Sequence, residues 1–402
     1  MLKRFVHIII ALVLGCVASW AQHDSINTIT PRISLITCHA GSVMYELCGH
    51  TAIRVQIDNQ DMAVNYGLFE FQAENFALKF LKGETDYRVG AYPFNLFLEH
   101  YLKENRRIVE QELNLTPQQA WRFVELLNIN LLPENCVYRY NYVKNNCATK
   151  PIVLFEQVVN DTISFNEPNI EGAENWTYRD EMRHFHHNYL WYQLGIDLAL
   201  GSGIDYTLPT REKMFAPEAL ESMMRGATIT DSVGNKIPVV TKETVIYEGS
   251  PAPLPLTPFL LSPIFIFSIV LALAIIFTIN DIKKKQISRW FDSTIYGIYS
   301  IASLFICFLV FISVNEATSP NGIILLFSPL CFIPAICVWI KKLSKVVYYF
   351  HVINIVALTL LLGILVSGIQ VTNIAVAPLM LISLVRSVSY IYINRCNTKK
   401  IK

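Results

Sequence analysis

Apolar positions follow two different patterns along the chain. Up to about residue 250 they come in short runs that alternate or recur every three to four residues. From residue 258 they fuse into five long stretches, at about 258–279, 292–314, 322–340, 346–368 and 373–392. Each is near the ~20 residues that cross a bilayer as a helix. The pattern therefore predicts an α+β domain followed by a five-helix transmembrane bundle. Ser250-Pro251-Ala252-Pro253-Leu254-Pro255 lies between them and reads as a stiff linker, 251–257.

Within the first part, Ile33 to Thr37 reads as a strand. His50 to Ile57 alternates and is rich in β-branched residues, Asp58-Asn59-Gln60-Asp61 reads as a turn, and Met62 to Phe71 as the returning strand. With the turn centred near residue 60, Glu70 falls opposite His50 and Tyr66 opposite Arg54. Asn65 lies off His50 in that register, and a slip of one residue would turn Glu70 away. Helices are predicted at 74–81, stopped by Gly83, at 94–104, and from Pro117 to about Asn130 with Thr116 as its cap. Ile108 to Leu113 alternates like a strand. Further on, a helix runs from Ala216 to about Met224, and Thr228 to Ile246 resembles a hairpin around Gly234-Asn235.

Charge in the loops orients the membrane part. Lys283, Lys284 and Lys285, then Lys341, Lys342 and Lys345, then Arg395, Lys399, Lys400 and Lys402 fall on one side. The loops at 315–321 and 370–373 carry no Lys or Arg. Positive loops mark the cytoplasm, so the segment before residue 258 lies outside and the C-terminus inside. The N-terminus agrees: Lys3 and Arg4 precede the apolar run Phe5 to Val17 and then Ser19-Trp20-Ala21, a secretory signal over residues 1–21. A loose lipobox at Val13-Leu14-Gly15-Cys16 and an uncleaved anchor are the alternatives. Residues 22–250 are then an exported domain ahead of the membrane part. Mean hydropathy of +0.36 and 16% charged residues also speak for a membrane protein. A net charge of +1, with no basic patch interleaved with aromatics, argues against nucleic acid.

Candidate chemistry centres on Asn145-Asn146-Cys147-Ala148-Thr149-Lys150-Pro151. An asparagine caps a helix well, and Pro151 fits only a first turn. Cys147 would sit at a helix N-terminus, where unpaired N–H groups favour a thiolate and can hold an oxyanion. The other reading is a small buried thiol. A nucleophilic thiol needs a base, and His50 at the mouth of a strand is the candidate. His before Cys reverses the papain order and suits a permuted papain-like domain; such pairs are recognised by geometry and role. Glu70, or Asn65, would orient the imidazole. Arg183-His184-Phe185-His186-His187 lacks companion ligands and reads as a polar helix face, so no metal is assigned. Cys38, Cys48 and Cys136 allow at most one disulfide if Cys147 stays free; Cys38 with Cys136 is one pairing.

Several stretches in order carry a family resemblance. They are Leu35-Ile36-Thr37-Cys38, Gly49-His50-Thr51-Ala52-Ile53-Arg54, Asn65-Tyr66-Gly67-Leu68-Phe69-Glu70-Phe71, Asn105-Arg106 with Glu110-Gln111-Glu112-Leu113, Tyr140-Asn141-Tyr142 with Asn146-Cys147-Ala148-Thr149, and Asp197-Leu198-Ala199-Leu200-Gly201. Residues 33–225 thus resemble the Lnb family, the lipoprotein N-acyltransferases of Bacteroidota, and the five-span tail fits it. The resemblance implies a papain-like fold in permuted order, similar to lecithin–retinol acyltransferases, with His50 and Cys147 carrying acyl transfer through a thioester. Two positions depart from the family pattern: His39-Ala40 before the glycine, and Cys48 where an aromatic is usual.

The resulting expectation is a periplasm-facing N-acyltransferase. It would move an acyl chain from a phospholipid, through Cys147, to the α-amino group of a diacylglyceryl-cysteine on a lipoprotein. Asn65, Asn146 and Arg54 are candidate oxyanion or substrate contacts beside the Cys147 N–H. No cofactor is called for. The alternatives are a cysteine amidase or peptidase acting on cell-wall peptides, and a non-enzymatic membrane sensor.

Overall fold

The computed structural model describes residues 29–69, 75–159, 162–167, 175–230, 234–251 and 256–399. The expected signal, most of the linker and Glu70 lie outside the described residues.

Seven antiparallel strands form the main sheet, in the order β10-β5-β1-β2-β3-β4-β6. They are β1 (Arg32–Cys38), β2 (His50–Ile57), β3 (Gln60–Leu68), β4 (Asp86–Pro93), β5 (Arg107–Leu113), β6 (Val137–Arg139) and β10 (Val240–Glu248). Between them run α1 (Phe76–Lys82), α2 (Phe94–Lys103), α3 (Pro117–Leu131) and α4 (Thr149–Val159). Both faces of the central strands are covered, so six of the seven β1 residues are buried. One face carries Ile33, Leu35, Ile53 and Val55 against Phe123 of α3 and Ile152 and Phe155 of α4. The other carries Ile36, Cys38 and Ala52 against Phe94, Phe97 and Tyr101 of α2. Helix α3 starts as its sequence predicts: Thr116 and Gln119 form a capping box with Pro117 in the first turn.

Helices α5 (Tyr178–His186), α6 (Leu190–Ala199), α7 (Thr210–Lys213) and α8 (Pro217–Gly226) follow α4. A second, three-stranded sheet is made by β7 (Thr162–Ser164), β8 (Thr228–Thr230) and β9 (Lys236–Pro238), in the order β7-β8-β9.

Three expectations change. The β2–β3 turn is tighter than predicted: Ile57 pairs with Gln60 and Ile53 with Val64. Asp58 takes a left-handed conformation that closes the turn in two residues, which shifts the register by three from the one expected. The 228–246 hairpin holds only in its first half, β8 with β9; β10 leaves it and extends the main sheet at β5. Cys38, Cys48, Cys136 and Cys147 are all free thiols. Cys38 and Cys136 belong to the cores on opposite faces of the sheet, so they cannot pair.

The membrane part contains α9 (Pro263–Lys284), α10 (Arg289–Phe311), α12 (Ser344–Val366) and α13 (Val376–Lys399). These are the four helices, among the described residues, long and apolar enough to cross a bilayer. The expected fifth helix, at 322–340, is broken into 3₁₀ turns and a short α11 (Phe332–Cys337). Pro329 and Pro334 remove donors and end regular runs there. The segment still traverses the bundle. Gly322 packs on Ile364 near the end of α12, while the Ala335 carbonyl accepts from Ser293 at the start of α10. Irregular backbone at such depth is tolerated where protein covers it, and Ile323, Leu326 and Cys331 are fully buried.

The exported domain rests on the loops that lack Lys and Arg. Asn321 donates to the Leu198 carbonyl at 2.9 Å and Asn373 to Asp197 at 3.0 Å. The Val371 N–H donates to Asp205 at 3.1 Å. The buried Arg179 binds both Asp197 and Asp205 from behind. Gly201 is required at this seam, because a Cβ there would lie 2.2 Å from the Pro320 carbonyl oxygen.

Candidate active site

Cys147 stands two residues before α4, and Asn146 caps that helix start. The Asn146 side-chain oxygen accepts the N–H groups of Ala148 and Thr149, each at 2.9 Å. Its amide nitrogen donates to the carbonyls of Tyr142 at 2.7 Å and Phe215 at 2.8 Å. Every polar atom of that side chain is therefore engaged in holding the helix start. Asn146 positions Cys147 and has no donor left for an oxyanion, contrary to the expectation.

The β2–β3 ladder ends at Ile53 and Val64. Beyond it the strands part, and Cys147 fills the gap. Gly67, at φ +91°, lies against it: a Cβ there would be 3.8 Å from Cys147 Cβ. Burial pushes the Cys147 thiol up, while the backbone N–H groups of Thr51, Cys147 and Ala148, and the charge of Arg106, pull it down. Burial prevails, so the resting group is a neutral thiol already surrounded by N–H donors. The Ala148 N–H is shared with Asn146.

His50 opens β2 on the α2 side of the sheet. Its Nε2 lies 2.6 Å from Asn65 Oδ1, and the Asn65 amide donates to the Tyr92 hydroxyl at 2.9 Å. An amide oxygen can only accept, so Nε2 carries the proton and Nδ1 keeps its lone pair. The imidazole stacks over Tyr101, with centroids 6.1 Å apart and planes 13° from parallel. Burial lowers its pKa to about 4, partly offset by the Asn65 bond. His50 is thus neutral near pH 7 and available as a base. Among the described residues no hydrogen bond joins the Cys147 sulfur to the ring. The two groups converge at Thr51, whose N–H reaches the sulfur and is bonded directly to the His50 carbonyl.

Of the two orienting candidates, Asn65 is hydrogen-bonded to the His50 ring, while Glu70 lies outside the described residues. Arg54 is withdrawn from chemistry. It donates to both carboxylate oxygens of Asp61 at 2.8 and 2.6 Å and to Glu110 at 2.9 Å. Its guanidinium covers the Phe94 ring at 3.9 Å. Four residues along the strand also place it about 13 Å from His50.

Three neighbours had no assigned role in the sequence: Tyr92, Tyr101 and Arg106. Arg106 is buried, covers the Tyr101 ring at 4.8 Å and donates to the His39 carbonyl at 2.7 Å. Its spacing from Tyr101, five residues across a helix end, gives no signal without the fold. Cys48 lies on the other flank, with its sulfur 3.1 Å from the Tyr142 hydroxyl and 3.9 Å from His186 Nε2. Burial raises this second thiol to about 12, so it is no competing nucleophile. His186 is buried beside it rather than on a polar face.

Two family models match the chain, one after the other. The Lnb N-terminal periplasmic domain matches residues 18–180, and the Lnb transmembrane domain matches residues 256–398. No curated protein and no solved structure matches the chain.

Proposed function

The chain belongs to the Lnb family, a membrane protein with a periplasmic N-terminal domain, and from that premise we propose that it is a Cys–His N-acyltransferase of the bacterial inner membrane. The acyl donor is a phospholipid and the acceptor is the α-amino group of a diacylglyceryl-cysteine on a lipoprotein. We read helix α4 packed on the antiparallel sheet, with His50 ahead of Cys147, as a papain-like arrangement in permuted order.

In the first half-reaction Nδ1 of His50 takes the thiol proton as the Cys147 sulfur attacks the ester carbonyl. The oxyanion is held by the N–H groups of Cys147 and Thr51. On collapse the glycerol oxygen leaves with the proton from His50, releasing a lysophospholipid and leaving a thioester on sulfur. In the second half-reaction the acceptor amine attacks that thioester. His50 takes the amine proton and returns it to the departing sulfur, and an amide remains. Dividing the transfer in two replaces one difficult step by two easier ones. Because the thiol and imidazole are both neutral at rest, the proton moves with the attack instead of before it.

The observation carrying this reading is the neutral imidazole of His50 held by Asn65, with the N–H of the next residue, Thr51, on a buried thiol ringed by N–H donors. Its position favours lipid over cell-wall peptide, since the domain is bonded directly to the outer loops of the membrane part. Incubation with vesicles containing an alkyne-tagged phospholipid should place a hydroxylamine-sensitive label on Cys147. The label should be absent from Cys147→Ser and from His50→Ala. Labelling of either variant at the wild-type level would refute the assignment.

A further inference from the structure

Helix α1 is out of place for a water-soluble domain. Its sequence, Phe76-Ala77-Leu78-Lys79-Phe80-Leu81-Lys82, holds four large apolar residues, yet none of its residues is buried. Leu78 and Phe80 are each 48% exposed. Contiguous exposed apolar surface marks a partner or a membrane. Here the neighbours decide between them. The carbonyl of Lys82 accepts from the Val314 N–H at 2.8 Å, and Gly83 lies against Asn315. These residues follow the outer end of α10, where Phe311, Ile312 and Val314 are likewise exposed, Phe311 to 73%. Helix α1 is therefore level with the place where a membrane-crossing helix leaves the bilayer. Lys79 and Lys82 beside the apolar side chains suit the headgroup region.

A file of rings leads from this helix inward. Phe80 and Phe76 are 6.1 Å apart by centroid, Phe76 and Phe69 5.5 Å, Phe69 and Tyr87 4.9 Å, and Tyr87 and Tyr140 4.0 Å. The file passes the nucleophile at Phe69, two residues beyond Gly67, where a Cβ would lie 3.8 Å from Cys147 Cβ, and ends inward at Tyr140. After burial, a charge on the Cys147 sulfur is the next cause raising the pKa of both tyrosine hydroxyls.

We propose that α1 dips into the outer leaflet and that the Phe80-Phe76-Phe69-Tyr87-Tyr140 file is the acyl-chain path to Cys147. It rests on the acyltransferase reading and specifies how that site receives its donor. A phospholipid would slide its chain along the rings while its headgroup stays at the level of Lys79 and Lys82, bringing the ester carbonyl to sulfur without leaving an apolar surface. Each methylene exposed to water carries a free-energy penalty, which makes such a continuous apolar path necessary for any long-chain donor.

The test uses the full chain carrying Cys147→Ser in phosphatidylethanolamine vesicles doped with the same lipid bearing a diazirine midway along its acyl chain. Irradiation and peptide mapping should place label on residues 76–82 and on the peptide carrying Phe69. Label confined to the membrane-crossing helices would overturn the proposal. A failed acyltransferase reading looks different: α1 would be labelled, but wild-type Cys147 would form no thioester. In a second experiment, the double variant Leu78→Glu with Phe80→Glu should slow thioester formation from these vesicles about tenfold or more, given what burying two large apolar side chains contributes. An unchanged rate would count against the path.

Discussion

Asn65 Oδ1 stands 2.6 Å from His50 Nε2, on the neighbouring strand and diagonal to the imidazole. The bond fixes the tautomer, because the amide oxygen accepts and leaves Nδ1 as the only free acceptor of the ring. Asn65→Ala would let the ring turn and should lower the rate of Cys147 acylation by roughly 10²-fold, at the low end of what general-base positioning contributes. The yield of folded protein should not change. Asn65→Asp instead puts a carboxylate beside the ring and favours the imidazolium. Its acidic limb in a pH–rate profile should move to higher pH than in the wild type, where His50 titrates near 4. A limb that stays in place in Asn65→Asp would show that the bond does not govern His50.

Stability should also follow the histidines. His50 and His186 both have pKa values lowered to about 4 by burial, against an ordinary value of 6.5. Above pH 6.5 both are neutral folded or unfolded and contribute no slope. As pH falls through 6.5 the unfolded chain takes up protons that the folded one refuses, so stability declines until the folded values near 4 are reached. Thermal unfolding in detergent should show Tm falling across that window. His186→Gln should flatten the fall, and an unaltered slope would mean that His186 is not held neutral.

Arg54 serves as a structural contrast to the site. Its partners Asp61 and Glu110 are on β3 and β5, so the guanidinium ties strands on either side of β2 and β1. Arg54→Leu should cost about 2 kcal/mol, less than the full penalty for breaking a buried pair because Asp61 stays partly solvated. Thioester formation on Cys147 should survive in the protein that remains folded. Loss of the thioester at unchanged Tm would return Arg54 to the site.

The legible parts of the sequence were those set by local chemistry. An asparagine pair before Cys147, with Pro151 in the first turn, announces a capped helix start, and Asn146 does cap it. His50 begins its strand because the β-branched alternation begins there. The third member of the site depended on register. Four polar residues, Asp58 to Asp61, look like a long turn, and only the left-handed backbone of Asp58 shows that Gln60 and Asp61 already belong to β3. Three residues of slip put Gly67 level with His50 and Asn65 on the diagonal within reach of its ring. The 322–340 stretch misled for another reason. Hydropathy counts apolar residues but does not register that Pro329 and Pro334 interrupt the hydrogen-bond ladder. Nor could the sequence pair Arg106 with Tyr101, or Arg386 with its carboxylates, since those contacts form only after helices dock.

Arg386 is the clearest case of a charge that the fold must explain. It is fully buried in α13 and donates to Asp292 of α10 at 2.5 Å, to Asp281 of α9 at 2.7 Å and to Thr278 of α9 at 2.9 Å. One guanidinium thus joins three membrane-crossing helices. Asp281 in turn accepts from the Ser288 N–H at 3.0 Å, which fixes the turn between α9 and α10. An unpaired charge among such helices is expensive, and removing one partner of a buried pair costs ~3–5 kcal/mol because the other is left uncompensated. Arg386→Met should therefore destabilise the membrane part strongly, since it strands two carboxylates at once. Combining it with Asp281→Asn and Asp292→Asn removes those charges and should recover most of the loss. Melting of the purified full chain, followed by tryptophan fluorescence, would measure both steps. If the triple variant is no more stable than Arg386→Met alone, the three side chains do not act as one clasp.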